Sequence, residues 1–145
     1  MTTSCVPLTV AAPASEVAAL KMYLDTNHIT ATQDSRGFFY TIDSSGSAGA
    51  VSNPSVCSDV SITYTGTFLN GQVFDQSGPN TPASFNLATL IYGWQEAIPL
   101  MKANNIMKLY LPPSLAYGAS GSSDSPQTIP PNTNLVFTIK LLAFN

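Results

Sequence analysis

A chain of 145 residues lies in the single-domain range and is long enough to close one core. Only 9% of its residues are charged against 44% hydrophobic, the net charge is −3 and His28 is the one histidine, so there is neither a basic patch for nucleic acid nor a histidine cluster for a metal. No apolar run approaches the length that spans a bilayer, and solubility rests on Ser, Thr and Asn, as expected of an exported surface.

Residues 2–13 carry no hydrophobic period, and Pro7 and Pro13 argue for an extended arm. Val17, Leu20 and Leu24, spaced i, i+3 and i+7, predict a short amphipathic helix over 15–27 with Ser15 as its cap, packed on its own core rather than used to dimerise. I-T-A-T and G-F-F-Y-T-I-D within 29–43 predict a hairpin or two successive strands, and the Ser/Gly-rich stretch 44–54 a loop inside the domain. Residues 60–67 alternate as a core strand with Ile62 and Tyr64 on one face. Asn70-Gly71 then supplies a tight turn into a returning strand over 72–75.

A loop over 76–82 precedes a strand over 83–87, and Trp94 opens a central helix over 94–101 that Pro99 keeps short. Residues 103–105 turn the chain into an apolar strand over 106–111. A Ser/Gly/Asp loop begins at Tyr117-Gly118 and runs to 127, and 135–144 close the sheet with Leu135, Phe137, Ile139 and Leu141 alternating. The domain is thus read as residues 1–54, an arm, helix and hairpin packed on the core, and residues 55–145, the core itself.

Cys5 and Cys57 have neither CxxC nor histidine spacing, which disfavours a metal site. A disulfide is the expected state, worth ~3–4 kcal/mol in the chain-entropy model, with two free thiols as the alternative. No phosphate loop, G-x-S-x-G or paired-carboxylate arrangement is present, so chemistry that needs no charged actor suits the chain best.

The segments V-S-I-T-Y-T-G, N-G-Q-V-F-D, F-N-L-A-T-L-I-Y-G-W, L-Y-L-P-P-S-L-A-Y-G and I-P-P-N-T-N-L-V-F-T-I-K-L-L, in that order, resemble the FK506-binding-protein (FKBP) family of peptidyl-prolyl cis/trans isomerases, in particular its exported bacterial members. The resemblance covers the chain after Val60. It implies an α+β fold in which a curved antiparallel sheet, a half-barrel, wraps one short helix. It also implies an enzyme without cofactor or metal that acts on proline-containing polypeptides in the periplasm or at the outer membrane or cell surface, and that binds FK506-like macrolides, more weakly where Ala83 lowers the wall; the short helix packed on its own core makes a monomer the expected state.

By the same resemblance, Trp94 floors the pocket, Tyr64, Phe74 and Phe137 wall it, and Asp75 makes polar contacts there. The Ile91 N–H binds a ligand carbonyl with Leu90 beside it, the Tyr117 phenol donates to a substrate carbonyl, and Ile129 belongs to the loop above. Phe74, Asp75, Trp94 and Tyr117 are thereby the catalytic set, and Tyr64, Phe85, Leu90, Ile91, Ile129 and Phe137 the substrate-binding set. Ala83 departs from the family by replacing an aromatic two residues before Phe85, which lowers one wall and leaves a non-catalytic peptide-binding or chaperone module as the rival reading. The segment before Trp94 is shorter than in single-domain members, and the loop over 120–128 has its own length and composition.

Overall fold

Alternation of side chains decides which residues of each strand are buried and on which side. The structure, a computed structural model, describes residues 6–46, 49, 52–78, 81–123 and 128–145. In chain order these form α1 (Ala14–Thr26), β1 (Thr32–Gln33), β2 (Phe39–Asp43), β3 (Asp59–Phe68), β4 (Val73–Gln76), β5 (Ala83–Asn86), α2 (Tyr92–Ala97), β6 (Ile106–Leu111) and β7 (Leu135–Phe144). All strand pairs are antiparallel in an open sheet of order β1-β2-β6-β7-β3-β4, with β5 also paired to β3. The fold is α+β.

On β7, Leu135, Phe137, Ile139 and Leu141 enter a core shared with Met107, Leu109 and Leu111 of β6 and with Trp94 and Ala97 of α2. Val136 of β7 points the other way. Its cross-strand neighbours Tyr110 and Phe39 form with it an apolar stripe over β7, β6 and β2, and α1 lays Leu20 and Leu24 on that stripe. A 13-residue helix is marginal alone in water, and burial of these two leucines, about 1.5–3 kcal/mol each, is what holds it. The apolar face read from Val17, Leu20 and Leu24 is therefore covered by the chain's own sheet.

The strands expected over 106–111 and 135–144 are β6 and β7 with those bounds, and the 29–43 stretch is a hairpin in which Thr32 pairs with Tyr40. In the β3–β4 turn only Gly71 takes a positive φ, +90°. Its N–H donates to the Phe68 carbonyl at 3.0 Å, and the Asn70 side chain accepts from the Gln72 N–H at 2.9 Å. This is a three-residue connection closed by a left-handed glycine, so the positive φ expected of Asn70-Gly71 falls on Gly71.

Two helix expectations need correction. Ser15 does not cap α1: Pro13 occupies the N-cap with extended φ −60° and ψ 149°, the helix starts at Ala14, and Ser15 falls inside the first turn. The central helix spans Tyr92–Ala97 rather than 94–101. Ile91 starts it, its carbonyl accepting from the N–H groups of Trp94 and Gln95 at 3.0 and 3.1 Å. Pro99 cannot donate to a carbonyl four residues back, so after Ala97 the chain tightens into a 3-10 turn, Ile98–Leu100. Parts of the expected loops over 44–54, 76–82 and 118–127, and Cys5 with its pairing, lie outside the described residues.

The arm is pinned across α2. Arg36 grips Asp34 through Nε and Nη2 at 2.8 and 3.0 Å and donates from Nη1 to the Leu8 carbonyl at 3.0 Å, while the Ala12 N–H donates to the Arg36 carbonyl at 2.9 Å. Beside this clamp Glu96 of α2 is 2% exposed, and neither carboxyl oxygen has a hydrogen-bond donor among the described residues. Burial pushes its pKa up from 4.5 to about 7, against the opposing charge of Arg36. The folded chain therefore holds this proton to a higher pH than the unfolded chain does. The contribution of Glu96 to stability is full below pH 4.5 and is lost as pH rises through about 7. Urea midpoints, followed by Trp94 fluorescence, are expected to fall across that window and to flatten in Glu96→Gln; an unchanged slope in the variant would refute the assignment.

Candidate active site

The outer edge of β3 is divided between two partners: residues 59–62 pair with β5 and residues 65–67 with β4. At the step between them Ser77 satisfies the backbone of Tyr64, its N–H donating to the Tyr64 carbonyl at 3.0 Å and its Oγ accepting from the Tyr64 N–H at 2.9 Å. The Tyr64 side chain meets Asp75 of β4, Phe85 of β5 and Trp94 of α2. With Phe137 of β7, Leu90, Ile91 and Tyr117 these residues line a cavity of ≈ 160 Å³.

Trp94, 5% exposed, lies at the centre of this aromatic set. Its ring meets those of Tyr64, Phe85 and Phe137 edge to face, with centroids at 5.2, 6.2 and 5.1 Å and interplanar angles of 76°, 79° and 86°. Each such pair adds about 0.5–1.5 kcal/mol beyond buried area, enough to lock the indole in place. The Ile91 N–H and the Tyr117 hydroxyl have no acceptor among the described residues. Asp75 is the charged residue of the lining, and its carboxylate accepts from the Tyr64 hydroxyl at 3.0 Å. Burial, then this hydrogen bond and the Asp75 charge, push the Tyr64 ionisation up to about 12, and burial with the same charge raises that of Tyr117. Both phenols are donors at neutral pH.

Eight of the ten residues singled out as pocket members thus come together in the lining, and Phe74 and Ile129 do not. The register shifts by one residue opposite Gly66, so that Thr67 pairs with Val73 and Gly66 with Asp75, and Phe74 is the extra residue of a bulge. The bulge brings Phe74 and Asp75, which would alternate in a regular strand, to the same side of the sheet. The Phe74 ring then turns over Gly66 and stands behind Phe137, its centroid 5.6 Å away at 80°. Ile129 is buried in the core, where its N–H and carbonyl bond Ser122 at 2.7 and 2.9 Å and anchor the loop. Ala83, on the Phe85 side of β5, adds nothing to the lining.

An aromatic recess between an open antiparallel sheet and a short helix defines a small α+β binding module. Residues 51–142 match the family model described as FKBP-type peptidyl-prolyl cis-trans isomerase. The chain is 41% identical over 97 residues, 66% of its length, to the peptidyl-prolyl cis-trans isomerase Mip of Coxiella burnetii, and 38% identical over 97 residues, again 66% of its length, to the outer membrane protein MIP of Legionella longbeachae. It spans 41% and 40% of the length of those relatives. The crystal structure of a peptidyl-prolyl cis-trans isomerase from Pseudomonas syringae superposes with a TM-score of 0.71 at 27% identity, covering 94% of this chain and 98% of that one. The chain belongs to the FKBP-type peptidyl-prolyl cis-trans isomerase family.

Gly66, which the sequence reading passed over, is a further requirement of the site. A Cβ there would stand 2.6 Å from Phe74 Cζ and 2.9 Å from Phe137 Cε1. Gly66→Ala is expected to displace both rings and to destabilise the fold by ~1–3 kcal/mol. Chemical denaturation read through Trp94 checks this, and an unshifted midpoint would show that the rings yield at no cost.

Proposed function

We propose that this chain accelerates cis/trans rotation about X-Pro bonds in exported polypeptides. The observation that carries the reading is a recess of ≈ 160 Å³ floored by an indole and lined by apolar and aromatic residues, in which the carboxylate of Asp75 is already bonded to Tyr64. Such a space takes a compact apolar ring and offers no nucleophile. The prolyl ring sits on Trp94 between Tyr64, Phe85 and Phe137, while the Ile91 N–H and the Tyr117 hydroxyl donate to carbonyls of the bound segment. Phe74 acts by backing Phe137, Leu90 flanks the Ile91 donor, and Ile129 holds the loop in place.

Rotation is opposed by about 18–20 kcal/mol because resonance gives the C–N bond double-bond character and places charge on the carbonyl oxygen. Water stabilises that charge-separated planar form. An apolar recess withdraws this stabilisation, and the twisted amide, which carries less charge separation, is disfavoured less.

Residues 1–54 and 55–145 act as one unit, since β1 and β2 extend the sheet of the core. A monomeric unit is the reading that the burial of α1's apolar face against its own sheet supports. Export to the periplasm or cell surface agrees with the low charge content, with the name of the Legionella relative, and with a Cys5–Cys57 disulfide joining the arm to the entry of β3. Thiol titration of the denatured, unreduced chain should find no free thiol, and two reactive thiols would remove the disulfide.

The activity is tested on a short X-Pro peptide by protease-coupled or NMR exchange assay. Trp94→Ala should cost about tenfold or more through the lost floor, and Tyr117→Phe about 2- to 10-fold through one lost hydrogen bond, with FK506 suppressing the wild type. The rival, a binding module without turnover, has Ala83 in its favour, because the wall beside Phe85 is low. Ligand binding without acceleration would establish it in place of the enzyme.

A further inference from the structure

Glu16 stands at the third position of α1, where an acidic side chain ordinarily reaches back to the backbone N–H of the capping residue. That residue is Pro13, which has no N–H. The carboxylate instead crosses to the segment after β6. Oε1 accepts from the Ser114 N–H at 2.8 Å and Oε2 from the Ser114 hydroxyl at 2.6 Å. Both oxygens are thus spent on a single residue, in short hydrogen bonds strengthened by the charge.

Ser114 lies in the 3-10 turn Pro113–Leu115, three residues before Tyr117. Downstream of Tyr117 the chain is tied by the Asn132 N–H, which donates to the Gly118 carbonyl at 2.8 Å, and by the Gly121 N–H, which donates to the Tyr117 carbonyl at 3.1 Å. Upstream, Pro113 and Leu115 are buried, and the polar tie given to Ser114 between them is Glu16, whose helix is itself fixed on the sheet by Leu20 and Leu24. Glu16 lies outside the 51–142 segment that matches the isomerase family.

We infer that Glu16 is a positioning residue for the pocket: acting through Ser114, it sets where the Tyr117 hydroxyl is presented, so that α1 is part of the working unit. The inference rests on the isomerase reading. Its test is a double-mutant cycle on the full chain, using X-Pro peptide isomerisation.

Glu16→Ala is expected to lower kcat/KM about 3- to 10-fold. Glu16→Gln, which keeps an acceptor for the Ser114 N–H, should restore much of the loss. In a Tyr117→Phe background the loss from Glu16→Ala should vanish, because there is no hydroxyl left to misplace. An equal loss in both backgrounds, or none in the wild type, would overturn the inference. Should Glu16→Ala fail to fold, Ser114→Ala removes the hydroxyl bond alone and is carried through the same cycle. A wild-type chain without acceleration would sink the isomerase reading, but Glu16 can still be judged by the NMR ring signals of Tyr117: a shift in Glu16→Ala supports the positioning role and unmoved signals refute it.

Discussion

The structure depends on how β3 disposes of its outer edge. A ten-residue strand with one neighbour on each side would make a continuous sheet, and a continuous sheet has no recess. Here the edge passes from β5 to β4 partway along, and the break falls at Tyr64. A backbone N–H and carbonyl left without partners there would cost about 1–3 kcal/mol each if buried. Ser77 supplies both partners from one residue, which makes the interruption stable. Everything else about the site follows from the opening: β4 and β5 diverge, α2 fills the space behind them with Trp94, and the rings of Tyr64, Phe85 and Phe137 close around the indole.

The polar inventory of the recess is small. The carboxylate of Asp75 is held by the Tyr64 hydroxyl at 3.0 Å. Among the described residues the Ile91 N–H, the Tyr117 hydroxyl and the Trp94 indole N–H have no acceptor, and the first two stand on the turn before α2 and the loop after β6. In the proposed function such an arrangement would orient a bound amide without attacking it. It suits a reaction in which no bond is made or broken and only the balance between planar and twisted forms must shift.

Legibility in the sequence followed the range of the interactions involved. β6 and β7 could be read because alternation is local: each inward residue is two positions from the next, and the pattern needs no knowledge of the partner strand. α2 departs from the expectation at both ends for local reasons as well, since Gly93 disguises a helix that starts at Tyr92 and the 3-10 turn around Pro99 imitates helical continuation. Pro13 is a less familiar N-cap than Ser15, although its extended conformation delivers the chain into Ala14 equally well. What could not be read was register. The bulge at Phe74 exists only relative to Gly66 and Thr67 on another strand, and it alone decides that the Phe-Asp pair shares one side of the sheet. The Glu16–Ser114 pair, 98 residues apart, carries no signal in spacing at all.

The position of β7 has a consequence for how the protein comes into being. The last strand in chain order lies between β6 and β3, where Tyr64 pairs with Ile139 and Met107 with the same residue from the other side. Until β7 arrives, β3 and β6 are two unjoined hairpin fragments with apolar faces exposed, and Trp94 lacks the wall that Phe137 provides. The contacts that complete the sheet are among the most distant in the sequence, so their loop closure comes late and slowly. A chain emerging from a ribosome therefore carries no finished recess until about residue 144 is free. The recess is completed only when the final strand is in place, because that strand brings Phe137 against Trp94.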